Sequence, residues 1–269
     1  MSLNPSQILM ELPKPVPELD HTQLFTQIFT RDSSKDIFKD IVGLEEVKTI
    51  FTNAIYAQDP VHIILVGPPG NGKTLFLQAV LKAFTQFSLF IDSTISSGIG
   101  MIEGIFDRAH SLRFLLVDEV EKFSRRDRKV LLNLLETGIV SRSLRNERRL
   151  LTEMKVWFFA TCNNINQIQT EQPELLNRCI ILTVPALNYN KFEYVASIRL
   201  QREQGINTEE IAKYVAFKVF TEFDATDMRK CIQICRLANS QAQQLSKEVD
   251  KEIVDGVISR LKGNIHIFN

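Results

Sequence analysis

The sequence predicts a parallel α/β sheet flanked by helices and followed by a small all-helical domain, and three observations carry that prediction. Short β-branched apolar runs alternate with helical patterns as far as residue 184. Those runs are apolar enough for burial on both faces, as in a parallel sheet covered by helices. After Pro185 no further strand-like run occurs, and helical patterns follow one another instead.

The elements read in order. Residues 1–36 form an arm, because four of the nine prolines fall in the first 17 positions and Pro13, Pro15 and Pro17 alternate, which favours an extended chain. Within it HTQLFTQIFT (21–30) is weakly amphipathic, the pattern of a docking segment. IVGLEEVKTIFTNAI (41–55) predicts a helix preceded by a turn at Gly43. Residues 61–66 form the first strand, ended by Gly-Pro-Pro-Gly, and a helix starts near Lys73. Strands are expected at 87–93, 113–119, 155–161 and 178–184, which makes five, with helices at 101–112 and 124–137. Four helices are expected between 187 and 265. The expected domains are an arm at 1–36, an α/β domain at 37–186 and a helical domain at 187–269.

Composition sets bounds on function. The 269 residues suffice for one large domain or two modest ones. With 32 basic and 32 acidic residues the net charge is zero, so whole-chain charge predicts no acidic partner and only a local patch could attract nucleic acid. The four cysteines read as small buried apolar residues in a reducing compartment rather than as a disulfide framework. Cys231 and Cys235 share a helix face, but no histidine lies near them to complete a zinc site. The N-terminus lacks the basic start and long apolar run of a signal peptide. No segment reaches the ~20 apolar residues needed to span a bilayer. A cytoplasmic protein without a membrane partner is expected.

One motif carries chemistry. Gly67, Pro68, Pro69, Gly70, Asn71, Gly72, Lys73 and Thr74 fit G-x-x-x-x-G-K-[ST] between a buried strand and a helix. Glycines let the backbone turn so that several N–H groups meet one anion, and the following helix adds its positive end. ATP is the expected cofactor, with Pro69, Gly70, Asn71, Gly72, Lys73, Thr74 and Leu75 as contacts. Lys73 would reach the β and γ phosphates and Thr74 would bind Mg²⁺. The metal needs a second oxygen ligand at the end of a neighbouring buried strand, and Phe114-Leu115-Leu116-Val117-Asp118-Glu119 supplies it. Asp118 is expected to hold Mg²⁺ and Glu119 to polarise the attacking water.

Four further segments resemble the AAA+ ATPase family over roughly residues 38–262. FKDIVGLEEVK (38–48) resembles the box before the first strand, where backbone at Ile41, Val42 and Gly43 would contact adenine. FFATCNN (158–164) ends in Asn163, similar to the sensor-1 residue that orients water with the catalytic acid. PELLNRC (173–179) resembles the arginine-finger segment, which implies that Arg178 reaches the γ-phosphate of a neighbouring subunit in a ring, expected to be hexameric. TDMRK (226–230) resembles the sensor-2 motif, with Arg229 reaching the γ-phosphate from the helical lid. An arginine supplied in trans is worth ~10³–10⁵ in rate. The plain alternatives are a turn-capping Asn163, an Arg178 paired with an acid such as Glu174, and a solvated Arg229.

Within that family the stretch at 94–100 lacks the aromatic residue of protein-unfolding pore loops, and the finger segment lacks Arg-Pro-Gly-Arg. The resemblance runs instead to clamp loaders and RuvB-like branch-migration motors, without their collar or winged-helix domain. Between 122 and 149 lie nine basic residues, Lys122, Arg125, Arg126, Arg128, Lys129, Arg142, Arg145, Arg148 and Arg149, against three acids. In RuvB-like motors a β-hairpin projects at the position of 139–154 and touches DNA or a partner. Sequence-independent, salt-dependent DNA contact is therefore expected there, against the plain reading of a solvated basic surface. A protein-remodelling chaperone and an ATP-gated assembly factor that presents its arm to a protein partner are the alternatives.

Overall fold

The computed structural model describes residues 36–95, 98–144, 147–151 and 154–265; the arm before 36, Ser96 and Ser97 of the loop at 94–100, and Arg145 lie outside the described residues. Seven strands occur among them: β1 Ile63–Val66, β2 Ser88–Asp92, β3 Phe114–Asp118, β4 Val140–Leu144, β5 Glu147–Leu151, β6 Trp157–Cys162 and β7 Ile180–Thr183. The helices of the α/β part are α1 Glu45–Ile55, α2 Lys73–Ala83, α3 Gly98–Asp107, α4 Arg125–Thr137, α5 Asn166–Glu171 and α6 Pro173–Asn177. Then come α7 Tyr189–Gln204, α8 Glu209–Phe223, α9 Met228–Gln244 and α10 Lys251–Ile265.

Five strands form one sheet in the order β2-β3-β6-β1-β7, with every pairing parallel. The central strands are buried along their length, as the apolar runs require: β6 is buried at all six positions and β3 at four of five. At β7 the expectation of burial on both faces fails. Its ends are exposed, Ile180 at 45%, because it closes one edge of the sheet and pairs only with β1. The helix expected at 101–112 starts earlier and stops at Asp107, and a helical pair, α5 and α6, occupies a stretch read only as loop and motif.

Aromatic packing fixes the P-loop helix against the sheet. Phe76 of α2 meets Phe51 of α1 and Phe38, each with centroids 5.2 Å apart, and Phe51 meets Phe159 of β6 at 5.0 Å. Such pairs add ~0.5–1.5 kcal/mol each beyond burial. Because Phe38 is part of this cluster, the turn from Phe38 to Gly43 is tied to α2, with the Ile41 N–H donating to the Phe38 carbonyl at 2.9 Å. Gly43 and Leu44 both adopt positive φ, 72° and 62°, before α1 begins.

α7 to α10 enclose a second core built on Phe192, Leu200, Val215, Val219, Ile234 and Val254. Their starts are capped by polar side chains. Asn188 accepts from the Lys191 N–H, Thr208 from the Ile211 N–H and Asp227 from the Arg229 N–H. Gly205 ends α7 in the left-handed conformation. The cysteines behave as small apolar residues: Cys162, Cys231 and Cys235 are buried, Cys179 is partly buried, and all are free thiols.

Candidate functional site

The loop between β1 and α2 turns on two glycines with φ +83° and +82°, Gly70 and Gly72, conformations that L side chains adopt only under strain. Gly67 is needed for a different reason. A Cβ there would lie 2.1 Å from the Val184 carbonyl oxygen, since the backbone after β7 passes directly beside it. Asn71 Nδ2 donates to the Pro185 carbonyl at 2.8 Å, which ties the loop to the chain leaving β7. Pro69 is exposed, and Leu75 is half-buried in the first turn of α2.

Lys73 is 95% removed from solvent, and its Nζ donates to the carbonyls of Gly67 and Pro68, both at 2.8 Å, and to Asn163 Oδ1 at 2.9 Å. Burial lowers its pKa, and the nearby carboxylates of Glu121, Asp118 and Glu119 act in the opposite direction. The Thr74 hydroxyl donates to the Asp118 carboxylate, whose oxygens lie 3.0 and 3.1 Å away. A hydroxyl and a carboxylate converging in this way make the hard oxygen donor set that Mg²⁺ prefers.

Parallel pairing of β3 with β6 brings the sequence-distant parts together. Asn163, just past β6, donates from Nδ2 to Glu119 Oε1 at 2.8 Å while accepting from Lys73. One amide therefore bridges the expected phosphate-binding lysine and the expected base. Glu119 itself sits at φ 55°, ψ 52°, a left-handed conformation that costs a non-glycine residue about 1–2 kcal/mol.

Three residues that the sequence did not single out, and a fourth named there in another role, hold this arrangement. Thr161 accepts the Glu119 N–H at 2.9 Å and donates to Asp118. A hydroxyl inside the otherwise apolar strand WFFATC is the signal that could have flagged it. Ser93 lies within hydrogen-bond distance of the carbonyls of Asp118 and Glu119. Glu121, 5% exposed, accepts the Asn163 backbone N–H at 2.8 Å. Its charge and its contact with the thiol add to burial in pushing Cys162 up to about 12. The fourth is Arg128. It was counted in the basic region, but it is wholly buried and paired with Glu171, so it is no part of that surface. Its phase with buried Leu131 and Leu134 places it on the inward stripe of α4, a pattern legible in the sequence. Lys122, Arg125, Arg126 and Lys129 are exposed. β4 and β5 pair as an antiparallel hairpin in which Arg142 is opposite Arg149.

The remaining expected residues lie apart from this cluster. Arg178 is exposed and pairs with Glu136 of α4 at 2.6 Å, not with Glu174. Arg229 is exposed at the start of α9, and its neighbour Asp227 approaches the P-loop: a Cβ on Gly70 would lie 3.9 Å from Asp227 Oδ1. Ile41 is buried, Val42 half-buried and Gly43 exposed. Among the described residues no group of three His, Cys, Asp or Glu could hold a metal, and no helix is long and apolar enough to cross a membrane.

A parallel sheet in this order, a P-loop at the end of β1, acids at the end of the adjacent-but-one strand and a trailing helical segment define a P-loop nucleotide-hydrolase fold. Residues 63–184 match the family model for the ATPase family associated with various cellular activities (AAA). Over residues 63–184 the chain therefore carries an AAA ATPase domain. By sequence it is similar to the ATP-dependent zinc metalloprotease FTSH 6, chloroplastic, of Oryza sativa subsp. japonica, 28% identical over 53% of this chain and 23% of that protein. It is also similar to an ATP-dependent zinc metalloprotease FtsH of Cyanidium caldarium, 23% identical over 84% of this chain and 40% of that one. The chain thus spans less than half the length of these relatives. Among solved structures, a point mutant of Thermotoga maritima RuvB superposes with TM-score 0.65 at 15% identity over 85% of this chain and 73% of its own. The S. cerevisiae Hsp104:casein complex superposes with TM-score 0.64 at 17% identity over 82% of this chain and 49% of that one.

Proposed function

We propose that the chain is the ATP-hydrolysing subunit of a ring, expected to be hexameric, that remodels or moves a macromolecule. Its parts would be an arm at 1–36, an ATPase domain at 37–186 and a lid at 187–269, working in the cytoplasm. The observation that carries the reading is the Asn163 amide, which joins Lys73 to Glu119 beside the Thr74–Asp118 pair.

The chemistry follows from these residues. The P-loop backbone and Lys73 bind the phosphates, and Lys73 exchanges its present carbonyl acceptors for phosphate oxygens. Thr74 and Asp118 would hold Mg²⁺, which supplies charge neutralisation on the phosphates when bound. Glu119 accepts the proton of the attacking water, and Asn163 fixes the carboxylate that does so. Arg229, at the start of α9 whose capping residue Asp227 approaches Gly70, would read the γ-phosphate from the lid. Ile41, Val42 and Gly43 would flank the adenine. Arg178 would act on the neighbour's nucleotide, so Arg178→Ala should bind ATP at the parent affinity and lose turnover.

DNA is the preferred substrate class. The exposed Lys122, Arg125, Arg126 and Lys129 support it. Arg125 and Arg126 open a helix, where cations face the positive end of the dipole, and Arg142 opposes Arg149 in the hairpin. Cations in the first turn of a helix are unfavourable to the helix and suit a site that meets an anion. A protein client is the second reading, favoured by the metalloprotease relatives and by the casein-bound Hsp104 structure. Steady-state ATPase with single-stranded, duplex or branched DNA, or with unfolded polypeptide, separates them. DNA stimulation that falls with salt supports the first reading; stimulation by polypeptide alone overturns it. Response to neither, with function lost on deleting residues 1–36, points to an ATP-gated assembly factor.

A further inference from the structure

Arg128 is fully buried, an expensive state offset here by contacts at Nη1 and Nη2, while its Nε has no hydrogen-bond partner among the described residues. Its Nη1 donates to the carbonyls of Glu121 and Phe123, in the turn that directly follows Glu119, and its Nη2 to the Glu171 carboxylate. Glu171 is the last residue of α5. Gln172 and the five-residue α6 follow, and Arg178 caps the C-terminal end of α6. At the joint between α5 and α6 the backbone is hydrogen-bonded, with the Gln172 N–H donating to the Ile168 carbonyl at 2.8 Å, but the Gln172 side chain adds nothing. Gln172 is 3% exposed, and neither side-chain amide atom has a hydrogen-bond partner among the described residues. The same helix that holds Arg128 also holds Glu136, the partner of Arg178, two turns further on. Helix α4 thus grips the segment from Glu171 to Arg178 at both ends, and Arg128 refers that segment to the turn carrying the subunit's own catalytic acid.

We propose that Arg128, acting through Glu171, is a positioning residue that fixes Arg178 relative to the hydrolysis site of its own subunit, so that the arginine offered to the neighbouring subunit is presented only from a correctly built cis site. This rests on the reading of Arg178 as the arginine that acts in trans.

The test uses the full chain and single-turnover hydrolysis of labelled ATP, with nucleotide affinity and melting temperature measured alongside. Glu171→Gln is the primary variant, because the Glu171 side chain is 40% exposed and a glutamine Oε1 can still accept from Arg128 Nη2, although the buried charge loses its counter-ion. The expected result is parent-like ATP affinity and a lowered melting temperature that still leaves the protein folded under assay conditions, with hydrolysis lowered about tenfold and no further loss when the change is added to Arg178→Ala. Hydrolysis at the parent rate in Glu171→Gln overturns the proposal, and so does a loss that multiplies with that of Arg178→Ala, since Glu171 would then act elsewhere. If Glu171→Gln does not fold, Arg128→Met, of similar volume and without charge, gives the same comparison. Arg178→Ala hydrolysing at the parent rate overturns the in-trans reading, and this proposal with it, and is read from that variant alone.

Discussion

Thr161 shows how much of the site depends on single buried groups. Its hydroxyl accepts the N–H of Glu119 and donates to Asp118, so one atom sets the base and the expected metal ligand in register. Thr161→Val keeps the shape and removes both bonds. It should cost about 1–3 kcal/mol in a urea titration and should lower turnover, because a buried donor is left unmade. Gly67→Ala should fail more severely, since its Cβ would meet the Val184 carbonyl oxygen at 2.1 Å and neither backbone segment can yield cheaply; little folded protein is the expected outcome, checked by its melting curve. At this scale the convergence of Lys73, Thr74, Asp118, Glu119 and Asn163 was legible, because phosphate binding demands particular types at fixed spacing. Arg128 was legible in principle but was counted by charge rather than by helical phase. The Arg178–Glu136 contact was not legible, because it depends on how α4 packs against α6, 42 residues away in sequence.

Elements were legible where their pattern is strong. The buried strands announced themselves by β-branched apolar runs, and the C-terminal helices by their periodicity. Edge exposure of β7 was hidden, because strand order is a property of the sheet and not of the strand. The short α5 and α6 span six and five residues, too few for periodicity to show. Packing between elements gives a direct prediction. Phe51 joins α1 to α2 and to β6, at 0% exposure with ring partners Phe38, Phe76 and Phe159. Phe51→Ala should cost about 3–5 kcal/mol by chemical denaturation. It should also weaken ATP binding, since the turn at Ile41–Gly43 is held through the same cluster by Phe38.

At the scale of the molecule, two cores share one chain, and the thiols report on both. Burial pushes Cys162 in the first core and Cys235 in the second up to about 12 from an ordinary value of 9.0. The unfolded chain therefore releases these protons first. The stability they contribute is complete below about pH 9 and is lost as pH rises towards 12. Urea midpoints should fall across that window, and partly buried Cys179 should be the first thiol alkylated in the native protein at pH 8. What the molecule works on is the least legible property of all, since a substrate is recognised by surfaces whose charge is visible and whose occupant is not. The proposed hydrolysis site can be probed at one residue, by Glu119→Gln. This variant should bind ATP with the parent affinity and not hydrolyse it; turnover at the parent rate would contradict the assignment of Glu119 as the base.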